Sequence, residues 1–178
     1  MSGKSLWKTA AVLAILTACR PAPPEVSVPT DRYLIHVFGP WQSPPPELES
    51  PTRTAPATIL VFSRSGEYVE HSCYVIEYLP DKTLSISAGD GHTVAVGRWT
   101  RDGARLHAVR QGIYRVVPYA GPGPDPLCKQ AELTFQVSGG SVVFEKDRFE
   151  PLAQLHSPDW AADVNAAKSS KVRCENTR

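Results

Sequence analysis

The stretch YVEHSCYVIEYL, from Tyr68 to Leu79, decides the fold class. Read as an extended strand, it puts Val69, His71, Cys73 and Val75 on one face and Tyr68, Glu70, Ser72, Tyr74 and Ile76 on the other. Turn residues bracket it, Arg64-Ser65-Gly66 before and Pro80-Asp81 after. Upstream, Tyr33 to Phe38 (YLIHVF) and Thr58 to Ser63 (TILVFS) read as two further strands. Downstream, Leu84, Ile86 and Ala88 alternate with Thr83, Ser85 and Ser87, so that run is apolar on one side and wet on the other.

The same punctuation continues to the C-terminal third. Gly89-Asp90-Gly91 is a hairpin signal, because Asp-Gly tolerates the positive φ that tight turns need. Thr93 to Trp99 follows, then a turn at Arg101-Asp102-Gly103. Arg105 to Val109 and Ile113 to Val117 read as two short strands broken at Gln111-Gly112. Leu133 to Val137, Gly139-Gly140 and Val142 to Lys146 make one more hairpin. No interval has the length and period of a crossover helix, which argues against a parallel sheet. The expected fold is mainly β, a small antiparallel barrel or sandwich. Ser157-Pro158-Asp159 combines an N-cap, a proline at the first helical position and a first-turn acid. Trp160, Ala161, Val164 and Ala167 then recur at helical spacing, so a short C-terminal helix should lay Trp160 and Val164 on the sheet.

The 178 residues suggest one domain, and 42% apolar residues suffice for a core. The near-neutral charge of +1, without a basic stripe, argues against nucleic acid and against a polybasic membrane contact. Proline is unevenly placed: ten of the 17 lie between Arg20 and Pro56, which sets the N-terminal third apart. Arg20 to Pro29 (RPAPPEVSVP) reads as an extended spacer, able to hold a domain about 30 Å from its attachment at roughly 3.1 Å per residue. Gly39 to Pro56, with Pro44-Pro45-Pro46, reads as a Pro-rich loop.

The N-terminus carries an address. Lys4 and Lys8 precede an apolar run, Thr9 to Leu16, that is too short to span a bilayer and of the length of a signal peptide's core. Leu16-Thr17-Ala18-Cys19 resembles the lipobox of bacterial lipoproteins, an aliphatic residue, two small ones and cysteine. The resemblance covers about a tenth of the chain. It implies removal of residues 1–18, lipidation of Cys19 and attachment to the membrane through that anchor. Arg20 after the cysteine, where retention in the inner membrane would favour aspartate, implies an outer-membrane protein facing the periplasm or the cell surface. The expected organisation is a signal peptide at 1–18 and a tether at 19–30. A β-rich domain at 31–168 contains the loop at 39–56, and a flexible tail covers 169–178. Gly97-Arg98-Trp99 is similar to the Gly-x-Trp element of lipocalin-like small barrels, although that group carries it near the barrel's start. The similarity implies a barrel.

Export places Cys73, Cys128 and Cys174 in an oxidising compartment. The expected bridge is Cys73–Cys128, closing a loop of about 55 residues and contributing roughly 3–4 kcal/mol. Cys128–Cys174 is its competitor. Candidate chemistry is sparse. His71 and Cys73 are neighbours on one strand face, the minimum for a thiol enzyme, but no orienting group or oxyanion site is readable. Asp90-Gly91-His92 could supply an acid–base pair, though a turn already accounts for the aspartate. The five histidines lack the spacings of zinc sites, so neither a metal nor a cofactor is expected. Trp41, in the Pro-rich loop, is the candidate contact residue. The expected function is a non-catalytic binding or accessory lipoprotein, engaging another envelope protein or a small apolar ligand. The alternatives are a periplasmic hydrolase or thiol enzyme and a structural role in envelope integrity.

Overall fold

The computed structural model describes residues 27–43, 53–78, 83–86, 91–116, 132–156 and 160–169. Its strands are β1 (Leu34–Val37), β2 (Arg53–Phe62), β3 (Glu67–Tyr78), β4 (Thr83–Ile86) and β5 (His92–Asp102). They continue with β6 (Arg105–Val116), β7 (Glu132–Ser138), β8 (Ser141–Phe144), β9 (Asp147–Pro151) and β10 (Leu155–His156). One helix, α1 (Trp160–Ser169), follows.

Eight strands close a barrel in the order β1-β2-β3-β5-β6-β7-β8-β9, every pairing antiparallel. The ring shuts where Leu34 and Ile35 of β1 meet Pro151 and Glu150 of β9. Of the two expected architectures, the barrel is the one formed. Closure pairs both sides of each strand and so removes the sheet edges a sandwich would leave. β4 lies outside the ring, on the far half of β3, and β10 pairs with it in parallel.

Alternation builds the interior. On β7, Leu133, Phe135 and Val137 are buried while Glu132, Thr134, Gln136 and Ser138 are exposed. The buried set joins Leu34, Leu60, Phe62, Tyr68, Leu106, Ala108, Val142 and Phe149 in one cluster that fills one end of the barrel. On β7 the outer face is thus polar and the inner face apolar, the reverse of a lipid-facing strand. No helix among the described residues is long and apolar enough to cross a membrane.

β3 departs from simple alternation because its outward face is covered too. Val69, with Val94 and Val96 of β5, packs beneath Trp160, Val164 and Ala167 of α1. Cys73 and Val75 pack with Ala57 and Ile59 of β2 and with Trp160, Tyr33 and Ile35. The helix docks through Trp160 and Val164 as the sequence implies; residues 157–159, its expected start, lie outside the described residues.

Five readings change. Gly89-Asp90-Gly91 does not close a hairpin, because β4 and β5 each pair with β3 and not with one another. The two short strands around Gln111-Gly112 are one strand, β6, with a bulge opposite Val96 and Gly97. There Val96 faces Gly112 and Gly97 faces Arg110, which leaves Gln111 as the extra residue. The Pro-rich loop ends early, because β2 begins at Arg53 and runs through Pro56. The Pro56 carbonyl accepts from Phe38 N at 2.8 Å, so its proton-less nitrogen faces the side on which β1 has just ended. The strand from Val142 stops at Phe144, and a turn at Glu145-Lys146 leads into β9, the closing strand. Finally, the tether docks before it ends: Pro29 is buried and Val28 packs on the interior cluster at the closed end of the barrel.

Candidate functional site

The closed end of the barrel is sealed by its own chain. Asp31 N donates to Phe62 O at 2.9 Å, and Trp99 packs edge-on against Phe62 with its Nε1 donating to Ser63 O at 2.9 Å. The opposite end is different. Above the apolar cluster, Arg110 grips Glu70 from two nitrogens, with Nε to Oε2 at 2.9 Å and Nη2 to Oε1 at 2.7 Å. Tyr68 Oη donates to the same carboxylate at 2.8 Å. This half-buried ion pair turns its charges on each other and forms a polar layer over the core. Beyond it, Thr58 Oγ1 and Ser72 Oγ meet at 3.2 Å.

A cavity of about 380 Å³ opens at this mouth, with Phe38, Thr58, Ser72, Tyr74 and Arg115 in its lining, and with Cys73 and His92 also reaching it. That volume lies at the small end of the range for ligand pockets, roughly 300–1,000 Å³. Phe38 is 39% exposed and Tyr74 40%; with Val109 they are the large apolar side chains that stand in solvent among the described residues.

A second constellation sits outside the ring, under α1. Register puts His71 of β3 opposite Val94 of β5, so His71 points outward, away from the interior cluster. His92 opens β5 on the same outer side, and α1 lays Asp163 over both. His92 Nε2 lies 3.1 Å from Asp163 Oδ2, both side chains being 13% exposed. The His71 ring stands 5.0 Å from that of His92 and 5.3 Å from that of Trp160. His71 is 1% exposed, and neither of its ring nitrogens has a hydrogen-bond partner among the described residues. Burial, with His92 alongside, pulls its pKa down from 6.5 to about 4. Its imidazole is therefore neutral at physiological pH, a state in which it can act as a ligand or an acceptor.

Cys73 shares the buried face with His71, as the alternation implies, but it is not an activated nucleophile. Burial raises its thiol pKa to about 12, the opposite of what thiolate catalysis needs. Cys73 is a free thiol here, so the expected Cys73–Cys128 bridge is not seen; Cys128, Cys174 and Cys19 lie outside the described residues. Trp41 is half-buried against the outer cluster around Ile59 and Val75, so packing claims part of the ring expected to serve as a contact. Asp90 lies outside the described residues. The remaining histidines have ordinary partners: His36 with Arg148 O, His107 with Thr134 and His156 with Gln154.

The meeting of His71, His92 and Asp163 is not legible from spacing. The three come from separate elements, and only the barrel's register and the docking of α1 unite them. The one available signal is a histidine on a strand face whose neighbours Val69, Cys73 and Val75 are all apolar. Comparison of the chain with protein families, curated proteins and solved structures finds no match.

Proposed function

We propose that this protein is a lipid-anchored envelope lipoprotein whose barrel is a non-catalytic binding module for a small, largely apolar ligand seated at the mouth. The observation that carries the reading is the convergence of Phe38 and Tyr74, both exposed, on one cavity. Leaving two aromatic surfaces wet is unfavourable unless something covers them. Arg115 on the same wall suits an acidic group on the ligand. The inert Cys73 thiol and the Glu70 carboxylate engaged by Arg110 speak against acid–base or thiol chemistry in the cavity. The chain enters the barrel at its closed end through Val28 to Asp31, so an anchor at Cys19 leaves the mouth at the opposite end, open to solvent.

The test is titration of the non-acylated mature chain with anilinonaphthalene sulfonate, an apolar fluorophore carrying one acid group. The reading expects one saturable site. Tyr74→Ala should weaken it about tenfold, the equivalent of ~1.4 kcal/mol, and Arg115→Ala should weaken it less for an uncharged analogue. Unsaturable binding, or binding indifferent to Tyr74→Ala in a normally folded variant, overturns it.

A further inference from the structure

We propose that His71, His92 and Asp163 form a binding site for a divalent transition cation, best suited to zinc, between the outer wall of the barrel and helix α1. The site is separate from the ligand reading above and does not depend on it. One ligand atom from each residue lies within 4.8 Å of the others. Zinc bonds of roughly 2.0–2.1 Å place tetrahedral ligand atoms about 3.4 Å apart, so binding needs an inward closure of about an ångström. That is side-chain motion, not a change of fold. Two imidazoles and one carboxylate suit zinc and its neighbours in the transition series; calcium and magnesium would call for a shell of oxygens.

His71 supplies the independent observation. It is 1% exposed, and both its ring nitrogens lack hydrogen-bond partners among the described residues. Buried polar atoms are rarely left so. A cation between the three residues would take up one of those nitrogens and neutralise the cost of burying the Asp163 carboxylate beside two histidines. The Trp160 ring packs on His71 and limits its rotation, as a fixed ligand requires. His92 also borders the mouth cavity, which provides a path for the ion and for a water completing its shell. Since two ligands come from the barrel and one from α1, the ion would clamp the helix to the wall.

The experiment uses the untagged mature chain, stripped with a chelator and titrated with zinc in competition with a chelator of known affinity. Cobalt, read by its absorption spectrum, reports the coordination geometry. One equivalent per chain is expected, with a zinc-dependent rise in melting temperature. His92→Ala and Asp163→Asn should each weaken binding at least tenfold. Lys168→Ala removes the Lys168–Glu67 contact further along the same helix and should leave the affinity within threefold of wild type. Because a His71 variant could fail to fold, Asp163→Asn decides: it is nearly isosteric, and its metal-free fold is checked by circular dichroism. No saturable binding overturns the proposal. So does binding that survives in both Asp163→Asn and His92→Ala, or that falls equally in Lys168→Ala.

Discussion

At the scale of single residues, the outward face of β3 shows how burial decides chemistry. His71 and Cys73 carry the two side chains most often found in nucleophilic sites, two positions apart on one strand face. The helix and the neighbouring strands remove both from water, with opposite consequences. The imidazole is held neutral and remains a good electron-pair donor, whereas the thiol is held protonated and loses its reactivity. The native protein at pH 8 should therefore resist alkylation at Cys73, and the unfolded protein should react readily without added reductant. Peptide mapping after each treatment checks this. Labelling of Cys73 only after reduction would show instead that it sits in a disulfide.

Among the elements, the instructive pair is β5 and β6, which make the longest hairpin of the barrel. The expected break at Gln111-Gly112 is a bulge that keeps pairing intact on either side from His92↔Val116 to Asp102↔Arg105. Gly97 makes it possible. A Cβ at that position would stand 1.9 Å from the Val109 carbonyl oxygen, a backbone atom that cannot swing aside. Gly97→Ala should thus destabilise the protein by about 1–3 kcal/mol, the usual cost of overpacking, read as a lower denaturation midpoint at unchanged m-value. Wild-type stability in that variant would mean that the strands do not approach this closely. The glycine of the Gly97-Arg98-Trp99 element is therefore a steric requirement of the barrel wall, and its tryptophan seals the closed end. By contrast, the β8–β9 turn escapes a sequence reading because Glu145 takes a φ of +53°. That conformation is typical of Gly, Asn or Asp, so Glu-Lys gives no turn signal and the closing strand goes unseen.

For the molecule as a whole, the ends of the barrel have different work. One end holds the apolar core, sealed by Trp99 and the incoming chain; the other is shallow, polar-floored and rimmed by Phe38 and Tyr74. An anchor at Cys19 would act on the molecule only through the incoming segment. Cys19→Ala should abolish incorporation of a fatty-acid analogue in cells and release the protein from the membrane fraction. Its thermal unfolding should stay unchanged, since the Pro-rich sequence that follows Cys19 offers few apolar groups to bury. A variant that is still labelled and still membrane-bound would refute the anchor.

The sequence by itself determined the local facts: most of the strands, their alternation, the turns at Gly66, Gly103 and Gly139-Gly140, and the apolar stripe of the terminal helix. These follow from backbone sterics and from a period of two or of 3.6, which neighbouring residues carry on their own. Only the tertiary structure decided that the sheet closes, because the β1–β9 pairing joins segments more than a hundred residues apart whose register no local pattern encodes. It alone assigned the second face of β3 to the helix, drew Trp41 partly into a cluster and set Phe38 and Tyr74 on the wall of one cavity. It also set His71 against His92 and Asp163, for the same reason: contacts between distant segments are fixed by the packing of whole elements, and the residues that meet there need share nothing in sequence.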